Sequence, residues 1–374
     1  MNKELPLGFN ERVIFDLRSL YNSYGYSRYK MNKFEEYDLY AHNKDFLISD
    51  SVITFTDTNG KLMALKPDVT LSIVKNSRDD IAAVSKLYYN ENVYRASKST
   101  NSFREIMQVG LECIGNIDDY CICEVLMLAA QSLRSISGQS ILDISHLGLL
   151  SDIIDAANVP QGSKDAVLRC IGEKNVHELA AVCRDCGVGQ EGIDLLKNAV
   201  TLCGKPADVL PKFQVLLEGI VDCGAVEQLR AVTDALGDTD IADMLRFDFS
   251  AVDDIRYYNG IVFKGFVNSL PASVLSGGQY DNLMRKMGRK CGAVGFAVYL
   301  DMLERLDNRK KEYDVDTLLV YDASASLADI RAQVKRLADS GISVMVQSCV
   351  PENIRCRQIL KLSGSEVTVF EYNA

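Results

Sequence analysis

The chain has 374 residues, which predicts one large domain with a smaller one, or two to three domains, rather than a single small core. Hydrophobic residues make up 47% and charged residues 25%, as in soluble globular proteins, and no apolar run reaches the roughly 20 residues of a transmembrane helix. The net charge of −10 argues against a nucleic-acid backbone as the main partner, and the N-terminus has no signal-peptide core, so a cytoplasmic protein is expected.

The eleven cysteines, without a secretion signal, indicate reduced thiols. Cys183 and Cys186 form a CxxC pair, and a zinc site would need two further ligands. His177 is one candidate, but no second CxxC or HxxxH accompanies the pair. We therefore predict no metal site and no cofactor.

The first predicted elements are a helix over residues 8–26, with Asn10 as its N-cap and Gly25 at its end, and then a strand within residues 27–44. Residues 51–55 and 61–65 are expected to form a hairpin around Asn59 and Gly60, because Asn-Gly is a strong turn signal. A second helix should begin near Asp68 and Thr70, both of which are typical capping residues.

The stretch from Tyr88 to Gly115 is predicted to form two strands that flank a polar loop. Arg95 lies at one edge of this loop and Arg104 at the other. Gln108, Gly110 and Glu112 are two residues apart, so in a strand they share one face. An amide and a carboxylate on one half-buried face are costly unless something uses them, although an ordinary surface hairpin would give the same pattern.

The remaining elements alternate between the two periodicities. We expect helices over residues 118–137, 147–157 and 327–340, strands over 141–144, 244–249, 260–267, 317–321, 343–347 and 366–372, and helical spacing throughout 160–240. By itself, the Gly-Gly-x-Tyr-Asp segment at residues 277–281 predicts a turn, and the later Gly-Phe-Ala at 295–297 predicts the start of a packed helix.

Together, these segments resemble the histidyl-tRNA synthetase family of class II aminoacyl-tRNA synthetases. Arg95, the loop, Phe-Arg-Glu and Gln-x-Gly-x-Glu-x-x-Gly are similar to motif 2, and residues 65–70 are similar to the family's Leu-Arg-Pro-Glu-Gly-Thr. Residues 251–259 resemble its histidine-binding signature, and residues 276–305 resemble motif 3. The first helix resembles part of motif 1, although the proline that ends motif 1 is missing.

The resemblance implies an α+β fold with a class II synthetase-like core, in which an antiparallel sheet is flanked by helices. It divides the chain into a first core part (1–158), a helical insertion (159–242), a second core part (243–310) and a small α/β unit (314–374) that resembles a truncated anticodon-binding domain. It also implies a homodimer through the core.

The resemblance further implies a histidine-binding pocket, and it supplies no catalytic residue. The residues that match the family's histidine-binding positions are Asp68, Thr70, Arg95, Gln108, Glu112, Tyr257, Tyr258 and Tyr280.

The family's ATP-handling positions are altered. The arginine that promotes attack of the histidine carboxylate on ATP falls on Asp253, where a carboxylate should repel ATP. In the motif 3 pattern, Gly-Phe-Ala-x-Gly-Leu-Glu followed by arginine, the arginine that clamps the phosphates falls on Met302. The motif 2 glutamate that follows the first arginine falls on Ser97. The pattern therefore keeps the amino-acid pocket and loses the activation chemistry.

This combination resembles the regulatory subunits of ATP phosphoribosyltransferase, the catalytically silent branch of the family. That resemblance implies a short-form catalytic subunit as partner, assembly into a hetero-octamer, a role in the first step of histidine biosynthesis, and L-histidine as the feedback ligand. It leaves open which surface contacts the catalytic subunit, what the C-terminal unit does, and whether histidine binds in the pocket or at a subunit interface.

Three alternatives stay open at this point. An active histidyl-tRNA synthetase would need the missing arginines. A synthetase-like protein that binds tRNA, or acts as an amino-acid sensor, would have to use an acidic chain with a shortened C-terminal unit. A stand-alone enzyme would need a nucleophile with its base, or a metal set, and the sequence offers neither.

Overall fold

The computed structural model describes residues 7–47, 51–96, 102–220, 224–252, 257–306 and 313–372. The helices are α1 Phe9–Ser23, α2 Tyr37–Ala41, α3 Thr70–Asn76, α4 Asp119–Ile136, α5 Leu147–Ala156, α6 Lys164–Gly172, α7 Val176–Asp185, α8 Gln190–Thr201, α9 Pro206–Leu217, α10 Gly224–Ala235, α11 Asp281–Lys286 and α12 Leu327–Asp339. Short 3₁₀ turns occupy Lys44–Phe46, Gln161–Ser163, Ala242–Met244 and Leu303–Leu306.

The strands are β1 Ser27–Arg28, β2 Phe34–Glu36, β3 Thr54–Thr56, β4 Leu62–Leu65, β5 Ser85–Ala96, β6 Phe103–Gly115, β7 Ser140–His146, β8 Cys203–Gly204, β9 Leu245–Asp248, β10 Ile261–Val267, β11 Leu275–Gln279, β12 Gly292–Tyr299, β13 Val315–Tyr321, β14 Val344–Gln347, β15 Cys356–Ser363 and β16 Glu366–Tyr372. Contacts divide the chain into one compact unit over Gly8–Arg305 and a second that contains Leu306–Ala374.

The larger unit is organised around a nine-stranded sheet with the order β1-β5-β6-β12-β11-β10-β7-β9-β8. Its pairs are antiparallel except for β1 with β5 and β7 with β9. The predicted hairpin is confirmed: β5 and β6 pair from Ser85 opposite Ile114 to Ala96 opposite Phe103. Gln108, Gly110 and Glu112 all lie on β6 at alternate positions, so they share one face as predicted.

Helices α1 and α4 cover the opposite face of this sheet. The Tyr21 ring of α1 packs edge-on against Phe296 of β12 at 6.0 Å, and its hydroxyl lies 3.0 Å from the Ser132 hydroxyl of α4. The prediction of Asn10 as the N-cap of α1 is wrong. The N-cap is Gly8, whose N–H donates to the Glu11 carboxylate at 2.8 Å.

A separate three-stranded sheet, ordered β2-β4-β3, contains the second predicted hairpin. β3 and β4 pair as expected, although both strands are shorter than predicted. The Asp57 carboxylate accepts from the backbone N–H groups of Asn59 and Lys61, both at 2.8 Å, and Gly60 has a φ of +80°. Glycine adopts this φ without the strain that a Cβ atom would bring, so it suits position 60.

The stretch between β7 and β9 is mainly helical, from α5 to α10, but it is not helical throughout. The two-residue strand β8 pairs antiparallel with β9 and ends the main sheet. Phe213 of α9 packs against Phe249 with ring centroids 4.3 Å apart. The helical segment therefore shares both hydrogen bonds and core packing with the sheet.

In the region that resembles motif 3, the structure differs from the turn and packed helix predicted from the local sequence. Of the predicted turn at residues 277–281, residues 277–279 belong to strand β11, Tyr280 follows it and Asp281 begins α11. Gly-Phe-Ala lies in strand β12 instead of opening a helix. β12 lies between β6 and β11 in the sheet. Most of its residues are buried. A strand that is buried on both sides lacks the apolar–polar alternation that reveals an exposed one.

The C-terminal unit has a four-stranded sheet with the order β14-β13-β15-β16. The predicted helix and the three predicted strands are present within one or two residues, and β15 was missed. Leu337 of α12 packs with Leu319 and Leu360 on one face of the sheet. In the described part of the chain, no helix is long and apolar enough to span a lipid bilayer.

Candidate functional site

One pocket lies on the face of the nine-stranded sheet that is opposite α1 and α4. The lining residues include all those predicted from the sequence, which are Asp68, Thr70, Arg95, Gln108, Glu112, Tyr257, Tyr258 and Tyr280. They come from the start of α3, from β5 and β6, and from the segments before β10 and after β11. The sequence-based set is thus brought together at one place, and its role as a histidine site stays a prediction.

Glycines form the floor of the pocket because the strand register leaves no room for side chains there. Gly295 of β12 lies opposite Glu112 of β6, and Ala297 lies opposite Gly110. A Cβ atom at Gly295 would overlap the Glu112 carboxylate, and one at Gly110 would overlap the Phe296 carbonyl. The small floor residues therefore create the cavity that the larger side chains surround.

Glu112 is the most deeply held acid of the pocket, with only 2% of its surface exposed. The Thr70 hydroxyl donates to Oε1 at 2.7 Å, and the Tyr280 hydroxyl donates to Oε2 at 2.5 Å. Burial, together with a smaller contribution from the Asp68 charge, raises the pKa of Glu112 to about 8 despite these two hydrogen bonds. Glu112 can therefore hold or release a proton near neutral pH.

Asp68 stabilises the start of a helix and also brings a carboxylate to the pocket. Its Oδ1 accepts from the Leu71 N–H at 2.9 Å, which stabilises the start of α3, and its Oδ2 lies 3.8 Å from the Arg95 guanidinium. Arg95 also donates from Nε to the Pro67 carbonyl at 2.8 Å. Burial raises the pKa of Asp68, and the Arg95 charge opposes this shift.

Gln108 carries a side-chain donor without an acceptor. The residue is 2% exposed, and its buried Nε2 makes no hydrogen bond to any described part of the chain. An unsatisfied buried polar group costs about 1–3 kcal/mol. An acceptor on a bound ligand would remove this cost.

Three tyrosines form an aromatic wall. The Tyr257 ring lies 4.8 Å from that of Tyr258 and 5.9 Å from that of Tyr280. Burial, first among the causes, raises the pKa of Tyr257 and of Tyr280 well above its ordinary value. Both phenols therefore stay protonated and can donate hydrogen bonds.

Sequence reasoning missed three polar residues that line the same pocket. They are Tyr89, Ser276 and Tyr299. Tyr89 lies opposite Gly110, and Tyr299 lies opposite Gln108. Only the strand register could have identified them, since residues that face each other across a ladder point to the same side of the sheet.

The charges of the pocket suit a zwitterion. Among the described lining residues, Arg95 is the one cation, and Asp68 and Glu112 are the acids. Met302, which the sequence resemblance places at the phosphate-clamping arginine, is half-buried in the turn before Leu303–Leu306. Asp253 lies outside the described residues.

The described residues contain no group of three or more His, Cys, Asp or Glu side chains arranged to hold a metal ion. At the CxxC pair, Cys183 is buried, and the Cys186 thiol donates to the Cys183 carbonyl at 3.3 Å. The pocket itself consists of hydrogen-bonding and aromatic groups, which suit a small polar organic ligand.

The fold and the pocket define a class II aminoacyl-tRNA synthetase-like protein. The family model for histidyl-tRNA synthetase matches residues 8–303. A crystal structure from Bacillus halodurans, described as an ATP phosphoribosyltransferase regulatory subunit/histidyl-tRNA synthetase, has a TM-score of 0.78 at 22% identity and covers 98% of this chain and 100% of its own. A chain of the ATP phosphoribosyl transferase (HisG:HisZ) complex from Thermotoga maritima has a TM-score of 0.62 at 20% identity, covering 79% and 98%. At these identities the two structures support the fold.

Curated relatives narrow the assignment within this class. The ATP phosphoribosyltransferase regulatory subunit of Halothermothrix orenii is 30% identical over 78% of this chain and 71% of its own length. That of Oceanobacillus iheyensis is 24% identical over 90% and 84%. The chain belongs to the histidyl-tRNA synthetase family, in its branch of ATP phosphoribosyltransferase regulatory subunits.

Proposed function

We propose that this chain is a non-catalytic regulatory subunit that binds L-histidine in the pocket and passes feedback inhibition to a short catalytic subunit of ATP phosphoribosyltransferase. The partner makes the first intermediate of histidine biosynthesis from ATP and phosphoribosyl pyrophosphate. A cytoplasmic hetero-octamer, built on homodimers of the synthetase-like core, fits this role. Family membership supports the partner, and the pocket supports the ligand.

The observation that supports histidine as the ligand is the distribution of charges and of unpaired hydrogen-bonding groups in the pocket. The α-carboxylate of histidine would accept hydrogen bonds from the Arg95 guanidinium and from the unpartnered Gln108 amide N–H. The α-ammonium would lie beside the Asp68 carboxylate. Glu112, which binds a proton near neutral pH, would then share one with the imidazole.

The same contacts explain why the ligand should be selected strictly. A desolvated pocket that hydrogen-bonds a polar side chain rejects analogues that leave its groups unpaired. Thr70 and Tyr280 hold Glu112 in place, and an apolar side chain beside it would exclude water from the carboxyl group and offer no hydrogen bond in return.

The absence of synthetase activity is part of the proposal. Met302 cannot clamp a phosphate because its thioether carries no charge. A pocket that binds histidine without activating it is free to act as a sensor, since ligand binding is then not consumed by a reaction. The coupling to the partner is limited to the difference in histidine affinity between two quaternary states, typically about 1–3 kcal/mol.

Isothermal titration of the purified chain with L-histidine, with and without ATP, tests the proposal. We expect heat from histidine, no heat from ATP and no pyrophosphate release. Binding of both ligands with pyrophosphate release would restore an active synthetase. No histidine binding would refute the sensor role and leave an assembly scaffold.

A further inference from the structure

Tyr299 stands at the boundary between the pocket and the tip of the β5–β6 hairpin. It is the last residue of β12, and its partner on β6 is Gln108. Beyond this pair, β6 continues to its start at Phe103 without β12 beside it, while β5 still pairs with it. Beyond Tyr299, the pocket face of the sheet is formed by the β5–β6 hairpin alone, and we call this part of the hairpin the shelf.

The shelf carries two arginines that face each other. Arg95 and Arg104 are direct partners in the β5–β6 ladder. Like charges directly opposite are destabilising, so this end of the hairpin favours an anion. Tyr299 lies beside Gln108 and lines the pocket, so a ligand whose carboxylate contacts Gln108 meets the Tyr299 side chain if it extends towards Phe103.

The Tyr299 ring is held in place across two strands. Its hydroxyl lies 2.7 Å from the hydroxyl of Ser276 on β11, and either group can donate. Both residues line the pocket. The hydrogen bond fixes the ring next to the amino-acid site instead of leaving it free to turn away.

A large residue is unexpected at this position. The neighbouring floor positions on the same face of β12 are Gly295 and Ala297. In the Gly-Phe-Ala-x-Gly-Leu-Glu pattern, the second glycine falls on Tyr299. A phenol ring here takes up space that a glycine would leave open.

We propose that Tyr299, anchored by Ser276, is a specificity-determining wall that admits a free amino acid and excludes an amino acid whose carboxylate carries a nucleotide. This inference rests on the proposed function, because it assumes that an amino acid occupies the pocket. It adds a second barrier to activation, separate from the loss of the arginine at Met302. The barrier is steric, so it acts on a bound adenylate irrespective of charge.

The test compares two probes, L-histidine and the non-hydrolysable sulfamoyl analogue of histidyl-adenylate. The readout is the ratio of their dissociation constants from calorimetry. We expect the wild-type chain to bind the analogue at least about 100-fold more weakly than histidine. Tyr299→Gly should reduce this ratio at least tenfold, because the ring is removed.

Tyr299→Phe is the matched control. It keeps the ring and loses only the hydrogen bond to Ser276, so its ratio should stay much closer to that of the wild type. If Tyr299→Gly does not fold, Tyr299→Ala replaces it. Equal binding of both probes to the wild type would refute the proposed role of Tyr299. An unchanged ratio in a folded glycine or alanine variant would refute it as well. Failure of histidine itself to bind would instead refute the proposed function on which the wall rests.

Discussion

The buried carboxyl group of Glu112 should make the stability of the ligand-free chain depend on pH. Its pKa is raised from 4.5 to about 8 in the folded chain, mainly by burial. The folded state therefore holds a proton that the unfolded state has lost between these pH values. Stability falls as pH rises through this window, because ionising the buried group is unfavourable. At about 1.36 kcal/mol per pKa unit, ionisation of Glu112 should lower the free energy of unfolding by about 2–3 kcal/mol between pH 6 and pH 9.

Urea unfolding at pH 6 and pH 9, followed by far-UV circular dichroism, measures this loss in the wild type and in Glu112→Gln. Glutamine cannot ionise, so the variant should lose about 2–3 kcal/mol less than the wild type over the same interval. Glu105→Gln, at an exposed position on the same strand, is the matched control and should keep the wild-type slope. Equal pH dependence in the wild type and Glu112→Gln would refute the argument that Glu112 is protonated in the empty pocket.

Three further predictions concern the ligand. Gln108→Leu should weaken histidine binding about 10- to 100-fold by calorimetry, and should raise the unfolding free energy by about 1 kcal/mol because a buried unpaired donor is removed. Arg95→Met should erase the preference for L-histidine over histamine, which lacks the carboxylate; the wild type should show a preference of at least about tenfold. Gly295→Ala should lower the melting temperature and abolish histidine binding, since its Cβ atom would overlap Glu112, whereas Gly138→Ala, with open space around it, should do neither.

Each of these three has a result that would contradict it. Unchanged histidine affinity in Gln108→Leu would mean that no ligand acceptor meets the free amide. A retained preference for histidine over histamine in Arg95→Met would place the carboxylate elsewhere. A folded Gly295→Ala variant that binds histidine normally would show that the floor tolerates a side chain.

Much of the pocket could be predicted because its residues follow local patterns. Gln108 and Glu112 alternate along one strand, and Asp68 and Thr70 open a helix, so their faces follow from the sequence. The resemblance then joined these segments to the three tyrosines. The structure brings all of them around one cavity.

The pocket residues that were missed depend on contacts between distant strands. Tyr299 lies beside Gln108 only because β12 pairs with β6 in one particular register. A shift of one residue would turn Tyr299 to the opposite face, and nothing in the local sequence fixes that register. For the same reason β12, rich in small apolar residues, could be mistaken for a packed helix.

Reconstitution with the short catalytic subunit tests the central claim most directly. The rate of phosphoribosyl-ATP formation from ATP and phosphoribosyl pyrophosphate would be measured with and without this chain, across a range of L-histidine concentrations. We predict that histidine inhibits strongly only when the chain is present, and that Arg95→Met weakens this inhibition while the two subunits still co-purify. Equal inhibition with and without the chain, or no association of the two subunits, would contradict the account.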